Sequence, residues 1–169
     1  IFTKQGFLEA YSCLAQGVQK QHANQYILAL EGVIGLEIAC ELIEDTQLSN
    51  RLYGAQLFSK RVSSGLPANT DPLEAVRFLY ATIQKNSNEK LIVGQLCLSI
   101  AKIMASSIPC LERFVQDVLR ENSLPLCLSI VKELPQCLSH SEKSILLEVE
   151  DRKKLYMHVE PVLVEGLND

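Results

Sequence analysis

Thiols and imidazoles are the side chains of this sequence that could bind a metal ion or attack a substrate. They are Cys13, Cys40, Cys97, Cys110, Cys127, Cys137, His22, His140 and His158. No two cysteines have the C-x-x-C spacing of a zinc site, and the histidines are far apart, without ligand partners nearby in sequence. Cys40, Cys97 and Cys127 stand among apolar neighbours, as small buried hydrophobic residues do. We therefore expect reduced, structural thiols in a cytosolic or nuclear protein, with neither a disulfide framework nor a bound metal.

Serines within predicted helices are the remaining candidates for a nucleophile. Ser12, Ser99 and Ser129 have no histidine and acidic partner in view that could activate them. The sequence also has no glycine-rich phosphate loop. We therefore predict that the chain is not an enzyme and uses no cofactor. An all-helical enzyme or regulatory domain stays as a third interpretation, which a deep pocket lined by convergent polar groups would favour.

Carboxylates at helical spacing are the first candidate for protein recognition. Glu37, Glu41 and Glu44 follow one another at i, i+4 and i+7, which places them on one face of a helix. One interpretation is an acidic strip that meets a basic protein surface and steers its association. The alternative is an ordinary solvated helix face.

A second candidate surface combines charged and apolar residues on two further predicted helices. On the helix over 72–85, five residues lie off the apolar stripe, and an aromatic ring among them could anchor an interface. They are Glu74, Arg77, Phe78, Ala81 and Lys85. Alternatively, Phe78 packs against another helix. Over 110–121 the outward set is Arg113, Gln116, Asp117 and Arg120, for which a plain solvated face is the favoured interpretation.

Composition limits the classes of partner. The chain has 169 residues, of which 47% are hydrophobic and 21% charged, and its net charge is −4. This composition allows a substantial core and argues against disorder. The one basic run, Arg152-Lys153-Lys154, is a poor footprint for nucleic acid, and no apolar run reaches the ~18 residues of a membrane span. We therefore expect a protein partner. Because the chain begins with Ile1 rather than methionine, we suspect a piece of a longer protein.

Helical periodicity runs through the sequence, without the sustained alternation that is typical of a sheet. Gly32 and Gly35 predict a bend or short turn, Asp71 and Pro72 suit the start of a helix, and Pro135 should kink or end one early. We predict an all-α fold. The lead helix covers 6–18, and the others cover 22–32, 36–45, 48–63, 72–85, 89–107, 110–121, 124–138 and 151–166.

Two internal similarities suggest how these helices are arranged. The segment 52–57 reads Leu-Tyr-Gly-Ala-Gln-Leu and is similar to 91–96, which lies 39 positions later, and the segment 97–102 is similar to 127–132. Helical hairpins that recur at about 40 residues are typical of HEAT and armadillo solenoids. We predict an α-solenoid of about four HEAT-like hairpins, a right-handed superhelix fragment that forms one domain over 1–169. Its repeats cover 22–45, 48–85, 89–121 and 124–166. A single all-helical bundle is the alternative.

In order along the chain, five segments resemble the amino-terminal part of the importin-β (karyopherin-β) superfamily, most closely its transportin-SR and importin-13 branch. The segments are 36–43, 52–57, 95–101, 124–135 and 150–153. They are similar, in turn, to that branch's aromatic-x-Ile-x-x-x-Leu-Leu helix, aromatic-x-Ala-Gln segment, Gln-Leu-x-Leu-x-Ile-Ala helix, Leu-Pro-x-x-Leu…Leu-Pro helix and Glu-Asn-Arg-Arg helix start. The likeness covers residues 23–167, and the chain departs from the family in having no tryptophan.

The resemblance implies a non-catalytic part of a nuclear transport receptor that shuttles between cytoplasm and nucleus. In that family the first HEAT repeats bind the GTP form of the small GTPase Ran, mainly through the second helix of each hairpin. Cargo and nucleoporins bind largely to repeats that this chain lacks, and GTP hydrolysis belongs to Ran. We assign the Ran contact to outward-facing residues, namely Glu37, Glu41, Glu44, Glu74, Arg77, Phe78, Ala81, Arg113 and Gln116. The alternative function is a HEAT-repeat scaffold or adaptor of another system, such as a phosphatase scaffold or a vesicle coat.

Overall fold

Helices make up most of the described part of the chain. The computed structural model describes residues 2–33, 35–107, 113–114, 116–117, 124–134, 136–137 and 157. Its helices are α1 (Lys4–Gln16), α2 (Lys20–Val33), α3 (Gly35–Ile43), α4 (Leu48–Ser63), α5 (Pro72–Lys85), α6 (Lys90–Ser106) and α7 (Leu124–Val131). No strand occurs among these residues, and the predicted all-α class is confirmed.

Side-chain caps explain where two of the helices begin. At the start of α1, the Thr3 hydroxyl accepts a hydrogen bond from the Gly6 N–H at 3.1 Å. At the start of α5, the Asp71 carboxylate accepts one from the Leu73 N–H at 3.0 Å, and Pro72 occupies the first helical turn. Each cap satisfies a backbone N–H that has no partner inside the helix. The helix start predicted at Asp71 and Pro72 is therefore confirmed.

Glycines in the left-handed region of backbone angles follow the ends of α1 and α4. Gly17 has a φ of +76°, and the N–H groups of Gly17 and Val18 bond back to the carbonyls of Leu14 and Cys13. Gly65 has a φ of +95° just after the end of α4. Glycine adopts these angles without the steric cost that a Cβ adds. The predicted end of the helix over 48–63 is confirmed.

Predicted helix bounds hold best where a cap or a breaker marks the end. The bounds of α4 and α5 coincide with the predicted 48–63 and 72–85. α2 continues through Gly32 to Val33, and α3 begins at Gly35. The turn predicted between the two glycines falls at position 34, which lies outside the described residues.

The helix predicted over 124–138, which Pro135 was expected to kink or end early, does end early. α7 ends at Val131, and a turn follows at 132–133 before helical residues resume. A proline lacks the N–H that the carbonyl four residues earlier would accept, and its ring clashes with that carbonyl. For Pro135 that carbonyl belongs to Val131, so the sequence itself accounts for the early end.

Other predicted elements lie partly or wholly outside the described residues. The helix over 110–121 is described only at 113–114 and 116–117, where it is helical. The loop over 139–150 and the helix over 151–166, with its basic run, lie outside the described residues except for Met157.

The chain divides into two compact units, Ile1–Ser64 and Gly65–Asp169. In the first unit, α3 makes its most extensive contact with α4. The most extensive contact of α1 is with α2. Gly54 of α4 lies directly against the backbone of α3. A Cβ at Gly54 would be 2.6 Å from the Ile43 nitrogen and 2.8 Å from the Ala39 oxygen. The absence of a side chain at this position therefore allows the two helices to approach closely.

This pairing differs from the predicted grouping, which joined α2 to α3 and α4 to α5. A single residue separates α2 from α3, whereas a helical hairpin needs a loop of about 2–5 residues. Three residues separate α1 from α2, and four separate α3 from α4, so these pairs can turn back and pack. The predicted repeat over 48–85 also crosses the division between the two units.

Aromatic rings of α1 and α4 pack against one another in the first unit. The ring centroids of Tyr11 and Tyr53 are 4.1 Å apart, and those of Phe7 and Tyr11 are 5.5 Å apart. Phe7 is buried. Val18, the last residue of the predicted lead helix, is 51% exposed because α1 has already ended at Gln16.

α6 is the central helix of the described part of the second unit, since it packs on both α5 and α7. Its buried residues are Ile92, Leu96, Cys97, Ser99, Ile100, Ala101, Ile103 and Met104. At about 100° per residue, this set covers about 200° of the circumference of the helix, and the residues on the remaining side are half-buried or exposed. α5 contributes Val76, Leu79 and Ile83 to the same core.

Candidate partner-binding surfaces

The predicted acidic strip lies on the solvent side of α3. Glu37 and Glu41 are exposed within the helix, and Glu44 is exposed in the turn that follows it. The residues on the other side are buried, and they include Ala39 and Leu42, which contact Gly54 of α4. A helix fixed by this packing therefore presents three carboxylates to solvent.

The Cys40 thiol lies half-buried among these carboxylates. Burial and the negative charges of Glu44, Glu37 and Glu41 raise the pKa of Cys40 to about 11. The thiol is therefore protonated and uncharged near pH 7, which makes it a poor nucleophile. The charge of the strip belongs to the three glutamates alone.

Asp45, the carboxylate that follows the strip, is ionised, but its charge is balanced by an ion pair. Lys4 of α1 forms an ion pair with Asp45, and the Asp45 carboxylate accepts a hydrogen bond from the Gln47 N–H at 2.9 Å. The hydrogen bond from Lys4, with a smaller contribution from that of Gln47, lowers the pKa of Asp45 to about 2. This ion pair joins the start of α1 to the end of α3, and the free negative charge of the strip stops at Glu44.

The predicted residues of α5 lie on its outer side. Glu74, Arg77 and Ala81 are exposed, whereas Phe78 is half-buried. An anchoring aromatic ring must be able to enter a partner's pocket. The half-buried ring of Phe78 therefore supports such a role less than a fully exposed ring would.

Two contacts bring Phe114 and Asp117 alongside α5. The Arg77 guanidinium forms an ion pair with the Asp117 carboxylate at 3.6 Å, and the rings of Tyr80 and Phe114 are 6.1 Å apart at their centroids. A solvent-exposed ion pair of this kind is worth about 0–1 kcal/mol, so the buried Phe114 ring is the stronger anchor. Arg113 and Gln116 are exposed on the same short segment, which makes one patch of these residues and α5.

The nine predicted residues therefore form two groups, one in each unit. The first is the acidic strip on α3, and the second is the patch on α5 and 113–117. Their role in binding stays a prediction. Sequence reasoning missed the Lys4–Asp45 and Arg77–Asp117 pairs. Their members are 40 or more positions apart, and no periodicity within one helix could have joined them.

Most of the candidate nucleophiles either form a hydrogen bond within their own helix or are made less reactive by burial. The hydroxyls of Ser99 and Ser129 each donate a hydrogen bond, at 2.9 Å, to the backbone carbonyl four residues earlier. Burial is the main cause that raises the pKa of Cys97 to about 11, and it also raises the pKa of Cys137. Cys110, His140 and His158 lie outside the described residues.

Metal-binding and membrane-spanning features were sought in the same part of the chain. Where residues are described, no group of three or more histidine, cysteine, aspartate or glutamate residues could hold a metal ion. None of the helices there combines the length and the apolar composition that crossing a bilayer requires. No family model, no curated protein and no solved structure matches this chain.

Proposed function

We propose that this chain is the amino-terminal HEAT-repeat portion of an importin-β-like nuclear transport receptor and that it binds Ran in its GTP form. The chain acts by binding alone, without catalysis, and works in both cytoplasm and nucleus. In this proposal the acidic strip of α3 and the patch on α5 and 113–117 face the GTPase. By the packing described above, α3 and α5 are the first helices of their pairs and not the second helices that the resemblance implies. Cargo and nucleoporins bind to further repeats of a longer receptor.

One observation carries the solenoid part of the proposal. The similar segments 97–102 and 127–132 lie in α6 and at the end of α7, which pack on each other. Ile100 and Ile130, at equivalent positions, are both fully buried. Ser99 and Ser129, also equivalent, make the same hydrogen bond to their own helix. Although Ser99 is buried and Ser129 only half-buried, two neighbouring helices that share a buried isoleucine and the same serine hydrogen bond are what stacked repeats predict.

Electrostatics supports a role for the acidic strip in partner association. Exposed carboxylates on one helix face attract a basic surface over roughly the Debye length, which is about 8 Å at physiological salt. Such a field raises the association rate more than the lifetime of the complex. Since Asp45 is already paired with Lys4, the strip depends on Glu37, Glu41 and Glu44.

Binding to Ran in its two nucleotide states tests the proposed function. The purified chain is immobilised, and Ran loaded with a non-hydrolysable GTP analogue or with GDP is passed over it. We expect binding of the GTP form and at least about tenfold weaker binding of the GDP form, a difference of about 1.4 kcal/mol. Equal binding of both forms, or no binding of either, would contradict the receptor function and favour a scaffold of another system.

Two charge-reversal variants distinguish an effect of the acidic strip from an effect of the net charge of the chain. Glu41→Lys changes the strip, whereas Glu9→Lys makes the same change in net charge at an exposed position of α1. We expect Glu41→Lys to slow association with the GTP form severalfold at low salt and Glu9→Lys to leave it nearly unchanged. If the two variants behave alike, the acidic strip does not face the partner.

A further inference from the structure

We propose that Tyr11 of α1 and Tyr53 of α4 are an oxidative modification site, at which a one-electron oxidant joins the two side chains as dityrosine. Dityrosine contains a carbon–carbon bond between two phenol rings. The site lies in the first unit and includes none of the residues assigned to Ran. It is therefore independent of the proposed function.

The two phenol rings are in contact in the folded chain. Their centroids are 4.1 Å apart, and the ring planes are inclined by 36°. Aromatic pairs in proteins usually have centroids about 4.5–7 Å apart, so this pair is unusually close. Carbon atoms of one ring therefore lie in van der Waals contact with the other ring. Coupling needs a movement of two neighbouring side chains, not an encounter between distant parts of the chain.

A third ring, that of Phe7, fixes the position of the pair. Its centroid is 5.5 Å from that of Tyr11 and 6.5 Å from that of Tyr53. Phe7 is buried in the core, whereas both tyrosines are half-buried. Part of each tyrosine is thus in contact with water and within reach of a soluble oxidant. Phe7 lacks a hydroxyl and is much harder to oxidise than a phenol, so it holds the pair without competing for the oxidant.

The reaction uses two equivalents of the oxidant. Each equivalent takes one electron from a phenol, and the phenolic proton passes to water, which leaves two tyrosyl radicals. Their unpaired electrons form one carbon–carbon bond between the ring positions beside the hydroxyls. Each bonded carbon then releases its hydrogen as a proton, and each ring oxygen takes up a proton, which restores both phenols. In total, two electrons go to the oxidant and two protons go to solvent.

Two other tyrosines provide a comparison within the same chain. The ring of Tyr26 packs on that of Phe2, with centroids 5.1 Å apart, and the ring of Tyr80 packs on that of Phe114 at 6.1 Å. A phenylalanine ring cannot form the second phenoxyl radical. These two aromatic contacts therefore cannot give dityrosine, although each contains a phenol.

The cross-link would change how the first unit unfolds. α1 packs chiefly on α2, and α3 packs chiefly on α4, so a bond between α1 and α4 joins one helix pair to the other. Tyr11 and Tyr53 are some 40 positions apart in the sequence. A covalent link across such a loop restricts the unfolded chain, as a disulfide does. We expect the cross-linked chain to unfold at a higher urea concentration than the unmodified chain.

Photo-oxidation of the intact chain tests the site. The oxidant is tris(bipyridine)ruthenium under visible light, with persulfate as the electron acceptor and in excess over the six thiols, which also consume oxidant. Dityrosine is measured by its fluorescence, and mass spectrometry of a digest identifies the joined peptides. We expect a monomer that has lost two hydrogens, with Tyr11 linked to Tyr53 and with a yield that does not change on dilution of the protein.

Conservative variants locate the reaction on this pair. Tyr11→Phe and Tyr53→Phe each keep the ring but remove one phenol, and each should abolish the dityrosine of the monomer. Tyr80→Phe is the matched control, because Tyr80 is also half-buried and in contact with an aromatic ring, and it should leave the yield unchanged. Circular dichroism checks that each variant keeps its helical content.

Three outcomes would overturn this proposal. They are the absence of dityrosine from the monomer under excess oxidant, a yield that Tyr80→Phe lowers as much as Tyr11→Phe does, and dityrosine confined to covalent dimers. The last would show that the rings of two copies meet, rather than the two rings of one chain. Binding of Ran is measured on the unoxidised chain, so a failure of the proposed function is distinguishable from a failure here.

Discussion

Two glycines in helix interiors, Gly54 and Gly94, have opposite surroundings and should respond oppositely to a methyl group. At Gly54 a Cβ would lie 2.6–2.8 Å from backbone and Cβ atoms of α3, whereas at Gly94 it would meet nothing within 4 Å. Backbone atoms of a packed helix cannot move aside as a flexible side chain can. The pair therefore isolates the cost of close helix approach from the intrinsic preference of alanine for helix.

We expect Gly54→Ala to lower the free energy of unfolding by about 1–3 kcal/mol, because the strain of overpacking exceeds the gain in helix propensity. Gly94→Ala should raise that free energy by about 0.5–1 kcal/mol. Urea unfolding followed by circular dichroism measures both changes. If Gly54→Ala is as stable as the original chain, α3 and α4 do not make the close contact described above.

The ion pair of Lys4 and Asp45 predicts a pH dependence. The pKa of Asp45 in the folded chain is about 2, below its ordinary value of 3.8. The pair therefore stabilises the folded state fully above about pH 4, and this contribution is lost as the pH falls through about 2. Lys4→Met removes the partner that contributes most to the shift and should move the pKa of Asp45 upward.

An NMR titration of the Asp45 side-chain carboxyl carbon measures this pKa directly. Lys20→Met, which removes an exposed lysine at the start of α2, is the control and should leave the titration unchanged. A pKa that stays near 2 in Lys4→Met would show that the Gln47 N–H, rather than Lys4, is the main cause of the shift.

At the scale of helices, local signals in the sequence were sufficient for the bounds of several elements. Asp71 and Pro72 mark the start of α5, and Gly65 with its neighbours separates α4 from the next helix. The alternation of buried and exposed positions on α3 also follows from periodicity, which is why the exposure of Glu37 and Glu41 was predictable. Each of these features depends on residues within a few positions of one another.

Helix pairing was less predictable, because periodicity shows which side of a helix is apolar but not which helix covers it. The similarity of 52–57 to 91–96 illustrates this limit. Ala55 is fully buried against its neighbours, whereas Gly94 at the equivalent position is open to solvent. α4 packs chiefly on α3, while α6 packs on α5 and α7, so similar sequences have different neighbours. The loop lengths, rather than the repeated motif, would have indicated the correct pairs.

At the scale of the whole chain, charge separates two kinds of surface. The first unit has an acidic strip on α3, and the second unit has a helix, α6, whose only charged residues are lysines. The acidic strip was recognised from the sequence because its carboxylates lie at i, i+4 and i+7. The exposure of Leu91 on α6 was not, because Leu91 has the spacing of a core residue and only the packing shows that it is exposed.

The division of the chain into two compact units predicts where a protease cleaves first within residues 2–107. The connection between α4 and α5 covers residues 64–71, and most of its residues are exposed. Exposed connections between compact units are preferred sites of proteolysis, because their backbone can enter the active site of a protease. Elastase cleaves after small apolar residues, so we expect its first cut in this range at the bond between the exposed Ala68 and Asn69.

Mass spectrometry of the products at short times identifies this cut, since it releases a fragment that ends at Ala68. Ala68→Glu removes the small apolar residue that elastase needs and should slow the cut, whereas Leu48→Glu, at an exposed position at the start of α4, should not. Early cleavage inside α4 or α6 instead would mean that these helices open more readily than the connection does. The two compact units would then not be the parts of this chain that resist unfolding.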